Sequence, residues 1–466
     1  MGRVTDRVPS PAPAPLLAPL LSPEGQALLA ELRDHDPARE LALATRLRRD
    51  HPAELVSAAL AQARLRQRGV AKFGADDAHR MYFTPNGVEQ ATRSTVAAYR
   101  AARFHQLAPE PPETTAATDT TAATASAETG RRVTDLCCGI GGDAIELARA
   151  GFAVRAVDLD PLTCEIAATN VRTLAPGAPP MTVTRADVLE YDLSGAETLF
   201  IDPARRGGRG RIFDPEAYSP PLSWAIDAVR RVGAGAVKIA PGIPHELVPD
   251  DFEAEWISDG GDVKEAVLWH AGDRVRNHAR NHARNHAQDH SREHAPGDER
   301  GHEQDPGRAT VVPGTRRATL LPSAATLTGR GLPDPQVRAV GRFLYEPDGA
   351  VIRAHLVAEV AEELTGGLID ETIAYITADE LRPTPYATAY EITDVLPFNL
   401  KKLKALLRER EVGILTVKKR GSAVEPEELR RRVKLKGPHA ATVFLTRVAG
   451  APTMLLGHPA HLGHPA

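Results

Sequence analysis

Apolar residues recur along this chain with two different periods, and the change of period divides it. From about residue 22 to 106 they follow helical spacing in Ala/Leu/Arg-rich runs such as ELVSAALAQARLRQRGVAKF, broken by turn chemistry at FTPNG, residues 83–87. Residues 1–108 are therefore predicted to form a mostly helical domain. The stretch PEPPETTAATDTTAATASAETG offers little to bury, so 109–130 is predicted to be a disordered linker. From Val133 strand-like and helix-like segments alternate. RVTDLC, FAVRAVDL, MTVTRAD, TLFIDPA and GAVKIAPG read as strands, with GDAIELARAG and PLTCEIAATNVRTL as helices between the first three. Gly151 is placed to end the first helix, and Asp160 and Pro161 to cap and open the second. Such alternation predicts right-handed βαβ units and an α/β fold with a Rossmann-like parallel sheet over 131–330.

The alternation then breaks at RNHARNHARNHAQDHSREHAPGDERGHEQDPGR, a polar short-period repeat. Its histidines suggest metal binding, but nothing apolar is present to fix a coordination geometry. Residues 274–310 are predicted to be a disordered insertion, with no metal expected. RATLLPSAATLTG resumes the sheet, and RATLLP is expected to pair antiparallel with KEAVLWH, carrying the insertion at the tip. Residues 335–450 read as a separate small α/β domain, with 451–466 as a tail. Within it, Asn399 is positioned to cap a helix whose stripe Leu400, Leu403, Leu406 and Leu407 leaves Lys401, Lys402, Lys404 and Arg408 outward. The strand after it ends in Lys418, Lys419 and Arg420. Between Phe398 and Pro438 there are thirteen Lys/Arg against five Glu, so this half of the domain is locally basic.

Composition narrows the class. The 466 residues are 42% hydrophobic and 25% charged, as in a soluble globular protein, and no run of eighteen apolar residues occurs, so no membrane span is expected. The first twenty residues lack a clean apolar core and do not read as a signal peptide. Three cysteines, Cys137, Cys138 and Cys164, make no disulfide framework and no zinc spacing, which points to a reducing cytoplasm. The formal net charge of −4 confines any nucleic-acid surface to local patches.

The chemistry concentrates in VTDLCCGIGGDAIELARAGFAVRAVDLDP. After a strand, Gly139 and Gly141 allow a tight turn and close approach of a ligand to backbone N–H groups. Alone, this fits a dinucleotide fingerprint equally well. The acids around it discriminate. Asp135 precedes the turn, where it can face a cationic ligand group. Asp158 ends the second strand nineteen residues after Gly139, where a carboxylate can accept ribose hydroxyls. Asp187 ends the third, placed to accept from an adenine amine, and Asp202 ends the fourth. A dehydrogenase needs neither Asp135 nor an Asp-Pro at the fourth strand.

Across roughly Val133–Gly329 the chain resembles the class I S-adenosylmethionine-dependent methyltransferases. The resemblance implies that Asp135, Gly139 and Gly141 hold the methionine part of S-adenosyl-L-methionine, Asp158 its ribose and Asp187 its adenine. It also implies a final antiparallel strand, and that Asp202 and Pro203 begin the acceptor-side motif. DLCCGIGGDAI is similar to RNA cap guanine-N2 methyltransferases, so Cys137 and Cys138 are expected to be packing residues. Methyltransferases acting on the amines of planar bases carry an aromatic after the acceptor motif; here Arg205 stands instead, to stack, to grip phosphate, or to form a surface ion pair. DPARRGG also looks like the uracil carbon-5 methyltransferases, but those need a nucleophilic cysteine after the fifth strand and none follows Cys164. Transfer to nitrogen or oxygen remains. Lys238 and Pro241 lie on the same rim without an assigned role. Arg205, Arg206, Arg209 and Arg211 form a basic loop suited to RNA, or plain solvated charge.

The order of domains resembles the actinobacterial methyltransferases with a carboxyl-terminal THUMP-like domain. That resemblance implies RNA docking through Lys401, Lys402, Lys418, Lys419 and Arg420. It further implies that the helical segment before the sheet packs over the cofactor mouth, with Thr84 or Gln90 reaching the site. The expected activity is methylation of an RNA at a base nitrogen, with Asp202 orienting the acceptor. A small-molecule or protein methyltransferase and a non-catalytic RNA module are the alternatives. The oligomeric state is not indicated.

Overall fold

The computed structural model describes residues 17–107, 131–204, 206–207, 210–211, 214–272, 311–433 and 435–460. The expected linker 109–130, the His/Arg-rich insertion 274–310, and Arg205 and Arg209 lie outside the described residues, as does the side chain of Arg206. The chain divides into two compact units, Met1–Ile239 with Leu268–Val312, and Ala240–Val267 with Pro313–Ala466. No helix among the described residues is long and apolar enough to cross a membrane.

The first unit opens with helices α1 (Ala18–Leu21), α2 (Pro23–Glu31), α3 (Glu40–Leu47), α4 (Ala53–Ala78), α5 (Pro85–Gln90) and α6 (Ser94–Phe104). Their starts are set by side chains that satisfy orphan N–H groups. Ser22 accepts from Gly25 N before α2, and Thr84 accepts from Gly87 N before α5, each followed by proline. The sheet follows, with β1 (Arg132–Leu136), α7 (Gly142–Arg149), β2 (Ala153–Asp158), α8 (Pro161–Leu174), β3 (Thr182–Arg185), β4 (Leu199–Ile201), the two-residue pieces β5 (Arg206–Gly207) and β6 (Gly210–Arg211), α9 (Leu222–Val232) and β7 (Ala234–Ile239). Asp160 caps α8 through Thr163 N, as its position in the sequence implies.

Five strands run parallel in the order β7-β4-β1-β2-β3. The central β1 is covered on both faces: Val133 and Leu136 are fully buried, and its register sets Asp135 opposite Ala156 of β2 and Phe200 of β4. Beyond β7 lies β9 (Asp262–Ala271), which runs antiparallel to it: Gly272 N, just past its end, donates to the carbonyl of Gly233 at the start of β7, 2.7 Å away. This is the parallel sheet with one reversed strand that the resemblance implies.

In the second unit β8 (Glu253–Asp259) turns into β9 through Gly260 and Gly261, both at positive φ. Here the expected pairing fails. RATLL forms β10 (Arg316–Leu321), which lies parallel to β8, with Ala318 opposite Trp256, and antiparallel to β11 (Ala325–Thr328). The glycine turn gives β9 the nearer partner, β8, and leaves the returning strand to take the outer flank of β8.

The remainder of this unit is a seven-stranded sheet of order β13-β14-β12-β15-β18-β17-β16. Its strands are β12 (Phe343–Pro347), β13 (Gly367–Asp370), β14 (Ile373–Ala378), β15 (Ala387–Pro397), β16 (Val412–Lys419), β17 (His439–Val448) and β18 (Ala451–Pro459). All pairs are antiparallel except β16 with β17. Residues 451–459, expected to be tail, are thus an interior strand. Helices Leu400–Glu409 and Pro426–Val433 cover one face through Leu403, Leu407, Leu429 and Val433. Asn399 caps the first of them, accepting from Lys401 N and Lys402 N.

A single α8 residue joins the leading helices to the glycine turn. Asn170, fully buried, donates to the carbonyls of Tyr82 (3.0 Å) and Ile140 (2.9 Å) and accepts from Tyr82 N (2.7 Å). Asn170→Ala strands three buried backbone groups and is expected to lower the unfolding free energy by about 2–4 kcal/mol, measured by denaturant titration. An unchanged midpoint would show that water replaces the amide.

Candidate active site

The turn after β1 is built from left-handed backbone. Cys137, Gly139 and Gly141 have φ of 63°, 55° and 82°. At Gly139 an added Cβ would meet open space, so a ligand can come up to the backbone there. At Gly141 it would lie 3.1 Å from Ala167 Cα, so this glycine is required by the packing of α8. The turn forms one wall of a pocket of about 950 Å³, open mouth included. Cys137, Gly139, Asp143, Asp158, Asp202 and Pro203 line it from the sheet's edge, and residues 87 and 89–92 line it from the segment that ends α5. The segment expected over the cofactor mouth lines this pocket, Gln90 among its residues. Thr84 instead spends its hydroxyl on the α5 cap. Lys72 of α4 fixes the segment, its Nζ donating to the carbonyls of Glu89 (2.5 Å) and Ala91 (2.7 Å).

The acids differ sharply in environment. Asp135 is fully buried beneath the pocket, off its lining, and neither carboxylate oxygen has a hydrogen-bond partner. Burial, then the neighbouring Asp143 and Asp202, push its carboxyl well above the usual range. Asp158 is at the rim, with Oδ2 accepting from Gly139 N and Oδ1 from Asp160 N, both at 3.0 Å. Burial raises its carboxyl too. Asp187 is exposed, gives Oδ1 to the N–H of Leu189, and does not line the pocket.

Two buried cations answer the remaining acids, and neither had an expected role. Arg100 of α6, over the ring of Phe200, pairs with Asp143 Oδ1. Lys238 of β7, 3% exposed, donates from Nζ to Asp202 Oδ2 at 2.5 Å. Both reach Thr92 Oγ1, Lys238 at 2.8 Å and Arg100 at 3.4 Å. Arg100 and Thr92 carry no local motif, because their role comes from a fold contact 43 or more residues away. Asp143 was not singled out either, although its place directly after the glycine pair was a signal that could have found it.

Burial raises both turn thiols, and the carboxylates beside them raise them further. They stay protonated, as packing residues would. In the second unit the cations expected on RNA are largely engaged. Lys418 pairs with Glu346, Arg420 reaches the same carboxylate at 3.6 Å, and Lys419 meets Glu425 at 2.5 Å. Lys401 and Lys402 are exposed. Arg206 belongs to the β5–β6 ribbon, opposite Arg211.

A pocket walled by carboxylates, with a glycine backbone at its floor, suits a cationic nucleoside better than a pyrophosphate. Comparison with known proteins agrees. Mycobacterium tuberculosis strains CDC 1551 / Oshkosh and ATCC 25618 / H37Rv each have a relative described as an uncharacterized S-adenosylmethionine-dependent methyltransferase. It is 30% identical over 374 residues, 78% of this chain and 84% of the relative. The chain belongs to this S-adenosylmethionine-dependent methyltransferase family. A THUMP domain-like family model matches residues 387–459 of the methyltransferase, and one for a domain of unknown function matches 15–69. The fold is shared with a crystal structure provisionally assigned as a methyltransferase from Porphyromonas gingivalis W83, at 17% identity and a TM-score of 0.67, covering 93% of this chain and 98% of that one.

The residues fit the cofactor: the unpartnered Asp135 carboxyl beneath the pocket can give up its proton to answer a cationic ligand, and Asp158 retains lone pairs beyond its backbone bonds. Between the ordinary carboxylate range and its raised value, native Asp135 keeps a proton that the unfolded chain has lost, so stability falls as pH rises through that window. Asp135→Asn removes this dependence. It is expected to make the cofactor-free protein more stable than the parent by a margin that grows from pH 4 upward, while weakening S-adenosylmethionine binding about tenfold. Denaturant titrations across pH and calorimetry check both; parallel stability curves for the two proteins would refute the buried-acid account.

Proposed function

We propose that this methyltransferase acts on RNA, at a base nitrogen. S-adenosylmethionine, when bound, supplies an electrophilic methyl group on a positively charged sulfur. Asp158 would hold the ribose hydroxyls and Asp135 would answer the charge of the amino-acid end, with Gly139 at the floor and Gly141 keeping the turn in place against α8. Asp202 gives Oδ2 to Lys238, and its other oxygen takes a hydrogen from the acceptor amine, turning the nitrogen lone pair toward the methyl group. The carbonyl of Pro203, on the same wall, is the second acceptor for that amine. The proton that the methylated nitrogen must lose would leave through the Asp202 carboxylate to water. Positioning and exclusion of water carry most of the rate enhancement.

The observation that carries the RNA reading is the THUMP-like module, whose helix Leu400–Glu409 turns Lys401 and Lys402 outward. Arg205, Arg206 and Arg209 follow the acceptor motif directly and supply further cations for phosphate. The ion-paired state of Lys418, Lys419 and Arg420 favours a second reading, a small-molecule or protein acceptor, because it removes three cations from the docking surface.

Labelled S-adenosylmethionine incubated with RNA from a strain lacking this gene, followed by nuclease digestion and mass spectrometry, is expected to find the label on one base nitrogen. Asp202→Asn should lower transfer about 100-fold or more while affinity for S-adenosylhomocysteine, uncharged at sulfur, stays within about threefold. RNA binding should weaken about tenfold with Lys401 and Lys402 both changed to Glu, and should fall steeply with salt. Label on no RNA, or salt-independent binding, turns the reading to the second acceptor class.

A further inference from the structure

Lys238 is an odd residue to find where it is. Every residue of β7 is buried, and a lysine in such a strand costs desolvation that an apolar side chain of similar volume would not. A buried ion pair is therefore a poor device for stability alone. The geometry supplies another use. The Nζ has two partners, Asp202 Oδ2 at 2.5 Å and Thr92 Oγ1 at 2.8 Å, one from the acceptor wall and one from the segment over the mouth. Asp202 lines the pocket; Lys238 does not.

We propose that Lys238 is the positioning residue of methyl transfer: it fixes Asp202 with one oxygen occupied and the other turned to the acceptor, and it cancels the Asp202 charge seen by the sulfonium. This rests on reading Asp202 as the acceptor-facing carboxylate. Without the cancellation, Asp202 would strengthen the pull of Asp135 and Asp158 on S-adenosylmethionine and stabilise the ground state, in which the sulfur is charged, over the transition state, in which that charge is fading. Thr92 makes the leading helical segment part of this device, since its hydroxyl accepts a second hydrogen bond from the same ammonium. Arg100 reaches the same hydroxyl and answers Asp143, so one threonine is shared by the two cations.

The test has an arm that needs no acceptor. S-adenosylmethionine and S-adenosylhomocysteine differ by one methyl group and one positive charge, so the ratio of their affinities reads the field at the sulfur. Calorimetry on the full chain is expected to show Lys238→Met raising that ratio about 3- to 30-fold in favour of S-adenosylmethionine, and Lys238→Arg leaving it near the parent value. Lys238→Gln, which also removes the charge, replaces Lys238→Met if the latter does not fold. In the second arm, transfer to RNA from the gene-deleted strain should fall about 100-fold in Lys238→Met with KM little changed. Lys238→Met combined with Asp202→Asn should be no worse than Asp202→Asn alone, because the two act as one unit. A ratio that matches the parent in the charge-free variants overturns the proposal. So does equal loss of both ligands in folded variants, which would mark Lys238 as structural support. A parent protein that labels no RNA defeats the RNA reading alone, since the affinity ratio still decides Lys238.

Discussion

Four carboxylates drawn to one edge of a sheet repel one another, and the first unit is arranged to keep that repulsion tolerable. Asp135, Asp143, Asp158 and Asp202 gather there, a crowding that a cationic ligand would relieve. A protein that must also exist without the cofactor needs cations of its own. It uses two, Arg100 from the leading helices and Lys238 from the sheet, and spends them on the pair of acids that line the pocket at its sides. Asp135 beneath and Asp158 at the rim form no ion pair among the described residues, and burial raises both toward the neutral form. The helical segment is therefore not a separate module laid on a finished enzyme. It supplies one cation, the hydroxyl that both cations share, and one wall of the pocket, while Asn170 ties it to the glycine turn.

Much of this was legible in sequence, for a clear reason. Strand-end acids and glycines at fixed spacing are local signals, and their meaning depends only on the strand–turn–helix units that carry them. Asp135, Gly139, Asp158 and Asp202 accordingly lie within or beside one pocket. Gly141 differs in kind: it answers to Ala167 across a helix contact. Long-range partners were not legible. Nothing near Thr92 or Arg100 in the chain announces an electrostatic role, and the isolated Lys238 in an apolar strand was a signal whose partner only the fold reveals. The β10 error has the same origin. Pairing by nearness in sequence is a sound first guess, but the Gly260–Gly261 turn had already assigned the inner position to β8.

Charge in the second unit teaches a related lesson. Composition counts cations, whereas an anionic polymer meets only those not already neutralised. The three residues at the end of β16 look like a basic cluster in sequence, yet Glu346, fifty residues or more upstream, answers two of them and Glu425 the third. Lys418 and Arg420 also sit over the rings of Tyr390 and Tyr375, which recruits them to the core of the sheet. Lys401 and Lys402, on a helix whose apolar stripe is used in packing, remain exposed, as does Arg408.

The place of β18 has a consequence for how this unit is made. It lies between β15 and β17, so the seven-stranded sheet cannot be assembled in the order in which the chain leaves the ribosome. β15 must wait more than fifty residues for its neighbour, and until Ala451–Pro459 arrives it and β17 each present a raw edge of unpaired amides and carbonyls. Such an interval is when stray β-pairing between nascent chains is most favourable, and it ends only when the final hairpin slots into the gap.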